Sequence, residues 1–370
     1  MQNKRQTVQQ EALKLALQYN RCGLGISMGV GKTLIGLQYI QQLVKQHTEL
    51  YKLRVLLVAP KLAVETTWLD EAVKHNIDIS GAELVFTTYL SLVKHAYERY
   101  DVIIFDECHS LLYSHLPVIT DFKGRILGLT GTPPRYHNSE KGEMVDRACP
   151  IRYSYITDEA VEDNIINDYK IIVHMMSLSQ VSNIPVYSKN NSRVFYSSEQ
   201  KDYDYWTKRI DDAKSKKEEQ IASIMRMKAL MRFTTKEHYA KYLLNEIDDK
   251  CIVFCNTQDQ ADRICAHSVH SDNEDSDINL SDFKADKFDR LSCVLQLNEG
   301  INIPNLRAGI ILHAYGNERK SSQRIGRLLR LNPDDLAIVH VLGYKDTVDE
   351  KWIKEALKDF DKEKIKYFNV

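Results

Sequence analysis

The sequence predicts an α/β protein of two domains in tandem, each built on a mostly parallel sheet flanked by helices. Strand-like runs of β-branched and apolar residues alternate with helical patterns along the chain, the signature of a parallel, doubly wound sheet. A glycine-rich turn, ISMGVGKT from Ile26 to Thr33, stands between a short apolar run and an apolar helix. The length of 370 residues, 43% of them hydrophobic, is enough to fill two cores. The predicted division is 1–165 and 166–370, the second part including a polar helical segment at about 188–236.

Composition narrows the function classes. The formal net charge of -1 gives no global basic signature, which weakens a nucleic-acid reading without excluding it, since a basic groove can be offset by acidic surface elsewhere. No apolar run approaches the roughly 20 residues that span a bilayer, and MQNKRQTVQQ lacks a signal-peptide apolar region, so a soluble intracellular protein is expected. The seven cysteines have no paired metal spacing and read as reduced thiols.

Gln6 to Tyr19 carries Val8, Ala12, Leu15 and Tyr19 at helical spacing, an amphipathic helix leading into the glycine turn. Gln9 or Gln10, near its start, can read adenine, because an amide both donates and accepts; a solvated glutamine is the other reading. In the turn, Gly29 and Gly31 let backbone N–H groups converge on phosphate oxygens at the positive end of the following helix. Lys32 would reach the β- and γ-phosphates, and the Thr33 hydroxyl would ligate Mg²⁺. The common pattern asks for glycine where this chain has Ile26, so the match is imperfect taken alone.

RVLLVAP (Arg54 to Pro60) reads as a strand buried on both faces, LAVETTWLDEAVKH as a helix with Trp68 inward, and ELVFTTYLSL (Glu83 to Leu92) as a strand and its exit. Ligands gather at the carboxyl ends of such strands, which singles out Lys61, Thr87 and Thr88 as candidate contacts to a polymer track. YDVIIFDECHSL delivers two adjacent carboxylates to a strand end: Asp106 to hold Mg²⁺ and Glu107 to orient and deprotonate water. Burying both without a cation would be costly. His109, and the hydroxyls Thr130 and Thr132 of RILGLTGTPPR, can couple this site to a bound polymer.

The ordered set SMGVGKT, VLLVAPK, FTTYLSL, FDECH and LTGTPPR resembles the first half of a superfamily 2 helicase or translocase, with Asp-Glu-Cys-His as its acidic motif. The Thr-Gly-Thr-Pro run is similar to DNA-directed branches: SWI/SNF-type translocases, restriction-enzyme motor subunits and phage UvsW-like helicases. SWI/SNF-type loops also lack the first glycine of the phosphate loop. The resemblance implies two RecA-like domains, ATP with Mg²⁺ between them, and nucleic acid as partner, DNA favoured over RNA.

Residues 150–175 read as the linker, running into a new apolar strand, and 271–282 as an exposed acidic loop. KCIVFCNT is a strand with the polar end Thr257, a further candidate nucleic-acid contact, before the helix QDQADRIC; AIVHVLGY is the last strand. In QRIGRLLR, Gln323, Arg327 and Arg330 share one helical face, and Gly326 allows close approach. This resembles the family's arginine-finger motif, so Gln323, Arg327 and Arg330 are candidate catalytic residues. NEGINIP resembles the preceding motif, implying nucleotide contacts from Gly300 and Asn302, although many members carry Asp at the latter position. A monomer acting with replication, recombination or repair partners is expected. A viral origin, which would place it in host cytoplasm, is suggested by the UvsW-like resemblance and the small size.

Overall fold

A continuous apolar run can be buried on both faces only if helices cover both sides of its sheet, and the alternating pattern supplies them. The computed structural model describes residues 4–27, 29–48, 51–134, 136–187, 194–294, 303–314, 336–358 and 360–370. The described chain forms two compact units, the first running to Asp168 and the second beginning at Tyr169.

The first unit contains six strands, β1 (Arg21–Ile26), β2 (Leu53–Ala59), β3 (Ala82–Thr88), β4 (Val102–Asp106), β5 (Arg125–Thr130) and β6 (Ile151–Tyr155). They pair in parallel throughout, in the order β3-β2-β4-β5-β1-β6. β4, β5 and β1 are therefore neighbours, and the phosphate-loop, acidic and Thr-Gly-Thr-Pro segments leave the sheet side by side at one end. Register fixes this further: Gly25 lies beside Thr130 and Asp106 beside Leu129. The helix Val64–Lys74 seats Trp68, 1% exposed, against the helix Lys32–Gln46. Gly36 makes room for it, since a Cβ there would stand 2.4 Å from the Trp68 ring.

The second unit holds β7 (Asp168–Met176), β10 (Cys251–Cys255), β11 (Ser268–Val269), β12 (Arg290–Val294), β13 (Ala308–Ile311), β14 (Leu336–Tyr344) and β15 (Ile365–Asn369), in the order β11-β12-β10-β13-β14-β7-β15. β8 (Ile184–Tyr187) and β9 (Val194–Ser197) make a separate antiparallel pair. The polar segment folds as two helices, Glu199–Asp211 and Lys216–Arg232, rooted on Leu178, Tyr203, Leu230, Phe233 and Tyr344.

Several expectations change. Part of the expected linker is β6, an edge strand on β1 whose alternating exposure gives it only half an apolar signal. The acidic stretch is a loop only in its first half; the helix Ser276–Lys284 follows, anchored by the fully buried Phe283. The strand in AIVHVLGY is not the last, because β15 pairs with β7 after the helix Val348–Ala356. No helix among the described residues is long and apolar enough to cross a membrane.

Candidate nucleotide site

Gly29 and Gly31 adopt φ of 85° and 106°, the left-handed region that glycine enters without penalty. Side chains of the helix Lys4–Gln18 grip the loop: Gln9 Nε2 donates to the Val30 carbonyl at 2.7 Å, and Arg5 Nε donates to the same oxygen at 3.2 Å. Gln9 is buried. A Cβ at Gly31 would meet Gln9 Nε2 at 2.7 Å, so glycine is needed there for space as well as for φ. Lys32 heads the helix Lys32–Gln46, and its Nζ donates to the Ile26 carbonyl at 3.1 Å. Ser27 Oγ lies 3.0 Å from Thr157 Oγ1, tying the loop to the helix after β6.

At the end of β4 the two carboxylates are held differently. Trp68 Nε1 donates to Asp106 Oδ2 at 3.3 Å, while the Tyr89 hydroxyl donates to the Asp106 main-chain oxygen at 2.8 Å. Glu107 has φ 56° and ψ 55°, a left-handed conformation that costs a non-glycine residue on the order of 1 kcal/mol and recurs at functional sites. Its side chain is buried and accepts from Thr130 Oγ1 at 3.3 Å, with His109 Nδ1 at 3.2 Å. Burial alone would raise the Glu107 pKa; the His109 hydrogen bond, the charge of Lys32 and the Thr130 hydroxyl outweigh it and hold the carboxyl well below its ordinary range. His109 is buried, not a surface residue, with Nδ1 2.8 Å from Thr130 Oγ1 and 3.4 Å from Thr132 Oγ1. The Thr132 N–H donates to Thr130 Oγ1 at 3.1 Å. Glu107, His109, Thr130 and Thr132 thus form one network.

Lys61 is exposed just beyond β2, Thr88 is half-buried and Thr87 is buried, so Lys61 and Thr88 supply the accessible surface there. Thr257 is exposed, and its Oγ1 caps the helix Gln258–Ile264 by accepting from Gln260 N. Gly300, Asn302, Gln323, Arg327 and Arg330 lie outside the described residues.

Sequence reasoning missed Arg5 and the partnership of Trp68 with Asp106. It also missed a buried cluster in the second unit. There Lys236 Nζ forms an ion pair with Asp349 Oδ2 and lies 3.3 Å from His313 Nδ1, while Asp349 Oδ2 also accepts from Tyr344 N. The apolar Trp68 pattern signalled burial only, and nothing in the local spacing around Lys236 announced a partner more than 100 residues away, at |i−j| 113.

Residues 71–135 match the type III restriction enzyme res subunit family, and residues 234–332 match the helicase conserved C-terminal domain family. The DNA 3'-5' translocase XPB2 of Sulfurisphaera tokodaii is 24% identical over 388 residues, covering 92% of this chain and 82% of that protein. Among solved structures, the ATP-dependent Type ISP restriction-modification enzyme LlaBIII superposes with a TM-score of 0.65 at 16% identity, over 100% of this chain and 31% of that one. A fragment of a putative HsdR subunit of a type I restriction enzyme from Vibrio vulnificus YJ016 gives 0.62 at 18% identity, over 99% of this chain and 67% of that one. The chain therefore spans about a third of the LlaBIII enzyme, and both structures share the tandem helicase fold. With matches to both helicase halves in the order of the motifs, the chain is similar to the superfamily 2 helicases and translocases, a likeness that supports ATP-dependent motor activity.

Proposed function

We propose that this chain hydrolyses ATP to translocate along, unwind or remodel branched DNA. The observation that carries the hydrolytic part is the buried Glu107 just past β4, hydrogen-bonded by His109 and Thr130, on the sheet that also carries the loop whose Lys32 rests on a carbonyl oxygen. Lys32 exchanges that oxygen for phosphate oxygens when nucleotide binds. Thr33 and Asp106 offer a hydroxyl and a carboxylate, hard oxygen donors of the kind that hold Mg²⁺ together with phosphates and water; the ion supplies charge neutralisation on the phosphates. Glu107 orients the attacking water and takes its proton, and Arg327 and Arg330 are assigned the neutralisation of charge on the transferring phosphoryl group. Gln9 is assigned the reading of adenine, and its bond to the Val30 carbonyl supports a link from the base to the loop.

DNA as the polymer is supported by the XPB2 relative, itself a DNA translocase, and by the Thr-Gly-Thr-Pro run. Binding through phosphates makes it sequence-tolerant and salt-dependent. The test compares phosphate release by the wild type and Glu107→Gln, with and without DNA or RNA. Glu107→Gln is expected to fall by about 10²–10⁴-fold while still binding ATP. Equal rates in the two proteins would leave a nucleotide-gated scaffold, and stimulation by RNA alone would make the polymer RNA. Arg327→Ala is expected to keep ATP affinity and lose turnover; normal hydrolysis by that variant would remove the arginine-finger assignment.

A further inference from the structure

We infer that Trp68 is the positioning residue for the metal-binding carboxylate, holding Asp106 in place through its indole N–H and tying it to the phosphate-loop helix through Gly36. This rests on the reading of Asp106 as a Mg²⁺ ligand. Trp68 Nε1 lies 3.3 Å from Asp106 Oδ2, and the side chain is 1% exposed, so water cannot substitute for it freely. An indole N–H is a donor only. It restrains one carboxylate oxygen without offering a lone pair that would compete for a cation. The other face of the arrangement is steric. The Trp68 ring fills the space a Cβ at Gly36 would take, 2.4 Å from Cη2 and 2.9 Å from Cζ3. Gly36 belongs to the helix headed by Lys32 and Thr33. One side chain therefore bridges the helix that carries the candidate hydroxyl ligand and the strand end that carries the candidate carboxylate ligand. Tyr89, donating to the Asp106 main-chain oxygen at 2.8 Å, fixes the backbone from which that carboxylate projects. Partners of this kind around a metal ligand are worth about 10–100-fold in metal affinity.

Trp68→Phe keeps an apolar ring but deletes both the donor and the Cη2 and Cζ3 atoms that reach Gly36, so it removes the two halves of the bridge together. The readout is equilibrium binding of Mn²⁺, standing in for Mg²⁺, to the whole chain in excess over a non-hydrolysable ATP analogue, followed by electron paramagnetic resonance of the free ion. Binding about tenfold weaker than wild type is expected, with analogue affinity in the absence of metal unchanged. Wild-type Mn²⁺ affinity in Trp68→Phe, beside weakened affinity in Asp106→Asn, overturns the positioning role alone. Wild-type affinity in Asp106→Asn overturns the ligand reading beneath it. Should Trp68→Phe fail to fold, the indole ¹H–¹⁵N resonance of Trp68 in the otherwise native chain, assigned against Trp206→Phe and Trp352→Phe, gives the answer. A shift when metal is added to the analogue-bound protein supports the proposal, and a fixed resonance overturns it.

Discussion

Each unit sets a lysine near a buried carboxylate, and the two lysines are neutralised in opposite ways. In the second unit Lys236 is 0% exposed and joined directly to Asp349, which is 1% exposed. Burial pushes the lysine pKa down and the Asp349 charge pulls it back, leaving an internally closed pair. In the first unit Lys32 donates to a neutral carbonyl, and Glu107 takes its hydrogen bonds from a histidine and a threonine. A carbonyl oxygen is a weaker partner for an ammonium than a carboxylate is. A cluster arranged that way can give up a partner to an incoming anion or water, whereas the lysine of the second unit already holds its opposite charge. Burial of charge thus separates into a structural use and a chemical one by what sits opposite the charge as well as by depth, Lys236 being fully buried and Lys32 only partly so.

The largest effect that bears on this contrast comes from removing each lysine. Lys236→Ala leaves Asp349 buried without its counter-charge and should destabilise the second unit by about 3–5 kcal/mol. Lys32→Ala, which removes a charge that favours ionised Glu107, should cost about 1 kcal/mol and abolish ATP binding. Urea unfolding and nucleotide titration of both variants measure this. A strongly destabilised Lys32→Ala with intact ATP affinity would reverse the roles assigned to the two clusters.

The chemical cluster was legible in the sequence and the structural one was not, for a physical reason. Phosphate binding needs glycines, a lysine and a hydroxyl at consecutive positions, so Gly29, Gly31, Lys32 and Thr33 appear as one word, and Asp106-Glu107 follow an apolar run that can only be a strand. Lys236 and Asp349 meet from the helices Thr235–Glu246 and Val348–Ala356, so only the tertiary fold makes them neighbours. The same holds for Trp68 with Asp106. The left-handed backbone of Glu107 is invisible because the residue is neither glycine nor asparagine. Edge strands such as β6, with two of five residues exposed, and β15, with four of five exposed, bury too little to announce themselves.

Acidification sharpens the comparison at intermediate size. His174 Nε2 lies 2.9 Å from His340 Nδ1 in the second unit's sheet, with Tyr239 Oη 3.0 Å from His174 Nδ1 and the Phe368 ring stacked at 6.4 Å. Burial lowers both histidines to about 4, the His174 charge adding to the effect on His340. Between the unfolded value of about 6.5 and the folded one, the unfolded chain binds more protons, so stability falls as pH falls. At pH 5 the loss is on the order of 2 kcal/mol per histidine. Glu107 behaves otherwise: its depressed folded pKa gives stability that is fully present above about 4.3 and lost only as pH drops through the folded value. Moving from pH 7 to pH 5 should therefore loosen amide protection in Leu336–Tyr344 while sparing Val102–Asp106, measured by hydrogen exchange with mass spectrometry. Equal loss in both strands would contradict the assignment.

The smallest effect tests whether the open cluster also carries a signal. Thr130→Val preserves shape at a fully buried position and deletes the oxygen shared by His109, Glu107 and the Thr132 N–H. Glu107 keeps its His109 contact, so hydrolysis should survive at reduced rate. What the network loses is the link between the carboxylate and the Thr-Gly-Thr-Pro turn. A coupling of about 1 kcal/mol corresponds to roughly fivefold, so stimulation of ATP hydrolysis by DNA should drop about fivefold, more than the rate without DNA drops. Steady-state rates with and without saturating DNA measure both. If the two rates fall by the same factor, Thr130 serves Glu107 alone and the turn is not a relay.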